Sequence, residues 1–329
     1  VEWYREAAKQ GDAPSQWRLG VCYEDGVGVD ADPRAAVEWY RKAAEQGDTV
    51  AQRRLGVCYE NGVGVEADPK AAVEWYRKAA EQGYAPAQCA LGHCYVNGVG
   101  VEADPKAALD LYRKAAEQED AVAQFCLGVC YEEGTGVEAD VTAAVDWYRK
   151  AAEQGYAPAQ CAFGHCYVNG VGVEADPKAA VDWYRKAAKQ GYAGAQGMLG
   201  ICYETGVGVE ADPKAAVEWY RKAAEQENAV AQYRLGVCYG EGAGVEADVT
   251  VAVEWYHKAA EQGHADAQFQ LGLCYEEGKG VEKDAQKAKE WLDKAASQGV
   301  EKKKKSPWWG IFGLSGVTGS AAVDAIQKE

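Results

Sequence analysis

The chain has 329 residues, of which 48% are apolar, with 11 Trp and 20 Tyr, so it can bury a large core and is not a disordered segment. Its net charge of −16 excludes a nucleic-acid backbone as the main partner, because phosphate binding is driven by clustered Lys and Arg. The charge is uneven: residues 299–329 carry +2 and the first 298 residues carry −18.

Residues 1–10 read as a single helix, the second helix of a truncated repeat. The sequence begins without Met, inside a helical pattern, so the chain is expected to be a piece of a longer one, with any targeting segment outside it. A 36-residue period then governs residues 11–298, which hold eight full repeats. Trp3, Trp39, Trp75, Trp147, Trp183, Trp219, Trp255 and Trp291 stand on it, with Leu111 in the one remaining place. Gly20 and Tyr23 recur at the same interval through Gly272 and Tyr275. Such self-similarity marks a solenoid, in which stacked neighbours bury the apolar faces that one unit cannot bury alone.

The second repeat shows the anatomy. In AQRRLGVCYENG, Gln52, Leu55, Gly56 and Tyr59 fall at i, i+3, i+4 and i+7, one face of a first helix, helix A. Gly62 follows as a C′ residue able to adopt the left-handed conformation. Helix B opens at ADPK, with Asp68 as N-cap and Pro69 at N1. Ala72, Trp75, Tyr76, Ala79 and Ala80 make its predicted buried stripe, Glu74 and Lys78 an i,i+4 pair on its wet face, and Gly83 its end. GVGVE is therefore the A–B connection and not a dinucleotide fingerprint, which needs a preceding strand and a third glycine. The tail, 299–329, breaks the period: a lysine run precedes Pro307, Trp308, Trp309, Ile311, Phe312 and Leu314. It reads as an end cap for the last repeat, a short motif for a membrane or a partner, or a linker into a further domain. Its apolar stretch, rich in Gly and Ser, falls short of the ~20 residues of a membrane span, so the cap and the linker are preferred over membrane contact.

The pattern A-x-A-Q-x-x-L-G-x-x-Y-x-x-G-x-G-V, followed by D-x-x-K-A-x-x-W-Y-x-K-A-A-E-Q-G, resembles the Sel1-like repeat, a relative of the tetratricopeptide repeat with a longer inter-helix loop. The resemblance covers residues 1–298. It implies an all-α fold, a right-handed α-solenoid of helix-turn-helix repeats, acting as a non-enzymatic adaptor for proteins in signalling, quality control or bacterial host interaction. Some similar proteins are secreted, cysteine-rich and handle β-lactams, with a bridging Cys after KA at the end of helix B; here that position is Ala. A β-lactam-binding protein and a membrane-tethered adaptor are the alternatives to the scaffold.

Eight of the 11 Cys repeat with the period, from Cys22 to Cys274; the others are Cys89, Cys126 and Cys161. Packed helices would hold equivalent positions about 9–10 Å apart, beyond the roughly 7 Å Cα limit of a disulfide. The thiols are expected to be small core residues in a reducing, cytoplasmic type of compartment. Cys89 and His93, like Cys161 and His165, are i,i+4 neighbours, but two ligands are too few for a zinc site, and the two pairs lie two repeats apart. No S-x-x-K, G-x-S-x-G, H-E-x-x-H or C-x-x-C occurs. No metal, cofactor or catalytic set is expected.

The variable positions of helix A are the candidate partner site. The residue after the recurrent Gln supplies Trp17, Arg53, Phe125, Tyr233 and Phe269; the next position supplies Arg18, Arg54 and Arg234; one turn later come His93 and His165. By analogy with related repeats this helix lines a concave groove, and exposed aromatic and Arg residues are the types enriched at hot spots. With Glu24, Asp25, Glu60, Glu132, Glu133, Glu276 and Glu277 flanking them, the expected ligand is an extended or helical peptide with apolar anchors and some positive charge. The competing expectation is that these residues only pack between helices A of neighbouring repeats.

Overall fold

The computed structural model describes residues 1–300; the readings of the tail fall almost wholly on residues 301–329, which lie outside the described ones. Among the described residues there are 17 α-helices and no strand, and they fall into two compact units. The first, Val1–Gln154, contains α1 (Glu2–Lys9), α2 (Ala13–Asp25), α3 (Pro33–Glu45), α4 (Thr49–Asn61), α5 (Pro69–Glu81), α6 (Ala85–Asn97), α7 (Pro105–Ala116), α8 (Ala121–Glu133) and α9 (Val141–Glu153). The second, from Gly155 on, contains α10 (Ala157–Asn169), α11 (Pro177–Lys189), α12 (Ala193–Thr205), α13 (Pro213–Glu225), α14 (Ala229–Glu241), α15 (Val249–Glu261), α16 (Ala265–Glu277) and α17 (Ala285–Ser297). Even-numbered helices are helix A of a repeat. Within each unit, every helix A packs on its own helix B, and that B packs on the next A. The fold of each unit is an all-α solenoid.

The helix ends follow the sequence signals. Asp68 sits in extended conformation and accepts from the backbone N–H groups of Lys70 (3.1 Å) and Ala71 (3.1 Å), with Pro69 in the first turn. Gly62 closes α4 at φ +69°. The second glycine of the loop has a further task. A Cβ on Gly64 would stand 2.1 Å from the carbonyl oxygen of Pro33, at the start of the previous repeat's helix B. The same approach recurs at Gly100 on Pro69 and at Gly208 on Pro177. GVGVE is thus a spacer that lets these loops lie against the backbone of the preceding repeat.

The core is built on a glycine–tyrosine contact. The ring of Tyr76 lies over Gly56, where a Cβ would be 2.4 Å from its Cε1. Tyr40, Tyr76, Tyr148, Tyr184 and Tyr220 are among the largest fully buried side chains. Four of these rings also turn their hydroxyl to a Glu of the helix A before them. Tyr76 donates to Glu60 at 2.7 Å and Tyr148 to Glu132 at 2.5 Å; Tyr40 pairs with Glu24 and Tyr220 with Glu204. Burial, together with the neighbouring carboxylate, holds the phenols of Tyr40, Tyr76 and Tyr220 far above their ordinary titration range.

A ladder of buried glutamines ties repeat to repeat. Gln52, 4% exposed, donates from Nε2 to the Ala44 carbonyl (3.1 Å) and accepts at Oε1 from Gln82 Nε2 (2.9 Å). The same pair of bonds is made by Gln16, Gln88, Gln196, Gln232 and Gln268. Both ends of a buried amide are thereby satisfied. Two expectations for helix B need correction. Lys78 forms no ion pair with Glu74; its ammonium lies 3.9 Å over the ring of Trp75, and the same Lys-on-Trp contact recurs on six other B helices, from Lys42 on Trp39 to Lys294 on Trp291. Trp75 is accordingly half-buried, and Val73 takes its place in the buried stripe. A lysine stem covering an aromatic face gains both apolar contact and cation–π attraction, more than an exposed i,i+4 ion pair offers.

Candidate interaction surface

Helix A carries the variable positions, and packing consumes them unequally. Several residues of the row after Gln meet, within their own unit, the residue 31 positions on, which precedes the next helix A. Cys89 Sγ donates to Asp120 at 3.5 Å, Gly197 lies beside Asn228, and Tyr233 stacks on His264 with ring centroids 4.8 Å apart. Arg53 is 6% exposed; burial raises the Tyr84 phenol above its usual range, and the nearby Arg53 charge opposes that rise. This row is therefore a joint between consecutive repeats. Phe125 is 1% exposed, with its ring 5.6 Å from that of Tyr148. Trp17, Tyr233 and Phe269 are half-buried and keep one edge at the surface.

The next position is more open, and its charges are already engaged. Arg18 is exposed; it donates to the Pro14 carbonyl (3.1 Å) and its guanidinium lies 4.5 Å over Trp17. Arg54 reaches back to Glu24 of the preceding repeat at 3.2 Å, and Arg234 to Glu204 at 3.5 Å. Since Glu24 and Glu204 also take the hydroxyls of Tyr40 and Tyr220, each forms a Tyr–Glu–Arg link that locks two repeats together. These arginines clamp the array and present little unspent positive charge.

His93 is half-buried, and Asn97 donates to its carbonyl (3.0 Å) and lies 3.2 Å from its Nδ1. Burial lowers its pKa, with Glu60 acting weakly the other way, so the ring is neutral at pH 7. His165 is 3% exposed, with Asn169 Nδ2 2.9 Å from Nε2. None of the thiols is in a disulfide, and all but Cys22 are buried. Burial pushes Cys58, Cys94, Cys161 and Cys202 up to about 12, which suppresses the thiolate needed for nucleophilic or metal chemistry. Among the described residues no three His, Cys, Asp or Glu gather to hold a metal ion, and no helix is long and apolar enough to cross a membrane.

What packing leaves open on helix A is a stripe that includes only part of the expected set. In α4 it runs through Val50, Arg54, Val57 and Asn61; in α14 through Val230, Arg234, Val237 and Glu241; in α16 through Asp266, Gln270, Leu273 and Glu277. Its apolar members, Val50, Val57, Val230, Val237 and Leu273, alternate with Arg54, Arg234 and Gln270, and its C-terminal end is polar or acidic at Asn61, Glu241 and Glu277. Val57, Val237 and Leu273 sit in the row that held His93 and His165, where the histidines drew attention and the aliphatic residues did not.

A model described as the Sel1 repeat matches residues 1–12 and then eight consecutive copies, 13–48, 49–84, 85–120, 121–156, 157–192, 193–228, 229–264 and 265–300. Among solved structures, the chain is 40% identical to c5321, a protective antigen of uropathogenic Escherichia coli strains with an SLR fold; the match covers 91% of this chain and 64% of that one, with a TM-score of 0.66. The chain thus spans just under two thirds of that protein's length. It is 39% identical to a Sel1 repeat protein from Oxalobacter formigenes, over 91% of this chain and 86% of that one, with a TM-score of 0.62. No match was found among curated proteins.

Proposed function

This chain belongs to the Sel1 repeat family, and from that premise we propose that it is a non-enzymatic scaffold that binds an extended or helical peptide along the open stripe of its A helices. The solenoid is of the type generally used for protein interaction. The finer reading rests on one observation. After the Gln row has been spent on the joint and the arginines on Glu24 and Glu204, the surface remaining on helix A offers Val50, Val57, Val230, Val237 and Leu273, with Glu241, Asp266 and Glu277 beside them on α14 and α16. Such a surface selects apolar anchors flanked by Lys or Arg. Trp17, Tyr233 and Phe269 offer aromatic edges beside it.

The test is a panel of peptides combining aromatic anchors with basic, neutral or acidic flanks, titrated against the full chain and against Val57→Asp and Leu273→Asp variants. Both positions are half-buried on the open stripe, so the variants should keep their helical circular dichroism. Basic–apolar peptides are expected to bind, to lose at least tenfold in affinity in one variant, and to weaken with salt. Equal binding by the wild type and both variants would remove the stripe as the site.

A further inference from the structure

We propose that the chain carries its own ligand: the segment KKKKSPWWGIFGL, from Lys302 to Leu314, seats on the helix-A stripe of the second unit, over α14 and α16. This rests on the reading of that stripe as a peptide-binding surface and names its first occupant.

The chemistry of the surface carries the argument. Tyr233, Val237, Phe269 and Leu273 are half-buried apolar residues on the stripe or beside it, and Val230 is 46% exposed. Glu241 lies exposed at the end of α14, Asp266 lies in the first turn of α16, and Glu277 at its end bears an exposed pairing with Lys279. The nearest cation of the stripe, Arg234, is held on Glu204. The complement of this surface is a run of positive charge followed by large apolar side chains. Residues 302–305 are four consecutive lysines, and Trp308, Trp309, Ile311, Phe312 and Leu314 follow within nine residues. The same contrast holds for the whole chain, with −18 on the first 298 residues against +2 on the rest.

The place where the described chain ends favours this seat. Val300 N donates to the Ala295 carbonyl at 3.1 Å, as His264 N does to the Ala259 carbonyl at 3.1 Å one repeat earlier. The chain therefore leaves α17 with the same turn by which it leaves α15 to enter α16, on the edge where A helices begin. The eight residue-to-residue steps from Val300 to Trp308 reach up to about 27 Å. That exceeds the ~20 Å length of a thirteen-residue helix and the ~10 Å step to a neighbouring one.

The rival seat, the bare end of the array, does not suit an apolar segment. On α15, Val253 and Ala260 are buried. Their equivalents on α17 are Lys289 and Ala296, both exposed. Substituting Lys for Val gives the last helix a polar outer face, which is how a solenoid terminates without a further layer. Lys287 and Lys289 there would also repel a lysine run. A tail seated on the stripe instead would make the binding face self-occupied, and an outside peptide would have to displace it.

The experiment uses the full chain at low salt. Zero-length carbodiimide coupling, read by mass spectrometry, should join Lys302–Lys305 to Glu241, Asp266 or Glu277 within one molecule, and W308A/W309A should abolish those links. The Lys294–Glu290 pair at 2.9 Å serves as internal positive control. Tail lysines that couple only elsewhere, or to nothing while the control couples, would overturn the proposal, as would a W308A/W309A variant with unchanged links. In a second arm, labelled KKKKSPWWGIFGL is titrated against the wild type and W308A/W309A, and the variant should bind at least tenfold tighter. Equal binding to both would overturn tail occupancy and leave the peptide-binding reading standing. Binding to neither would remove both. Flotation of the wild type with anionic vesicles, lost in W308A/W309A and accompanied by no intramolecular links, would assign the segment to a membrane surface and refute the seat on the array.

Discussion

The glycine under each core tyrosine gives a test in which the same substitution has opposite signs at two places. Gly56→Ala adds a helix-favouring residue, a gain of ~1 kcal/mol. Its Cβ, however, would stand 2.4 Å from the Tyr76 ring, where carbon atoms prefer about 3.5–4.0 Å. That ring cannot retreat: it is 1% exposed and its hydroxyl is held by Glu60 at 2.7 Å. Overpacking costs about 1–3 kcal/mol, and an overlap of this depth takes the upper value, so the net loss is ~2 kcal/mol, or about thirtyfold in the local opening equilibrium. Gly240→Ala is the control. Gly240 is exposed in α14, and a Cβ there would meet Tyr256 Oη at 3.4 Å, an ordinary contact, so the helix gains about 0.5–1 kcal/mol. Because repeats exchange energy only with their neighbours, native-state amide exchange is the proper assay. α4 and α5 should exchange about thirtyfold faster in G56A, and α14 and α15 slower in G240A. Stabilisation by G56A would refute the reasoning, since it would mean that the Gly–Tyr contact can relax without loss.

The hydroxyls above those glycines allow a second comparison of sign. Tyr184, whose preceding helix A has Val168 where four repeats have Glu24, Glu60, Glu132 and Glu204, is buried with an unbonded hydroxyl, so Tyr184→Phe should stabilise by ~1 kcal/mol while Tyr220→Phe, which strips Glu204 of its hydroxyl donor, should destabilise by about as much in chemical denaturation. Gln52→Ala removes two buried bonds, to Ala44 and from Gln82, and should cost ~2 kcal/mol, read as faster exchange in α3–α5. His264 caps α16 by accepting from Ala267 N at 3.3 Å, and burial lowers its pKa. A depressed histidine favours the neutral form in the folded state, so its contribution is complete above the ordinary value near 6.5 and is lost as pH falls below it. His264→Asn, the residue that caps the previous repeat at Asn228, should flatten that part of the stability–pH curve. A thiol reagent at pH 8 should modify at most Cys22 rapidly, with the ten buried thiols reacting only after denaturant is added; prompt reaction of several would contradict their burial.

The sequence by itself determined the repeat and its local geometry. The 36-residue period, Asp68 and Pro69 opening a helix, and Gly62 closing one all follow from backbone preferences and short-range spacing, which each repeat settles internally. Even the stripe of helix A that stays open was within reach, since Val57 and Leu273 occupy the row that was read through His93 and His165. Only the tertiary structure decided which neighbour covers each remaining face. That Tyr233 meets His264, that Cys89 meets Asp120, and that Arg54 and Arg234 spend their charge on Glu24 and Glu204 are facts about the rotation of one repeat against the next. A periodic pattern cannot encode that rotation, because every repeat carries the same pattern whatever the angle at which its neighbour is stacked. The preference of Lys78 for Trp75 over Glu74 has a similar origin: spacing along a helix allows both contacts, and the half-buried ring, placed by packing, selects one.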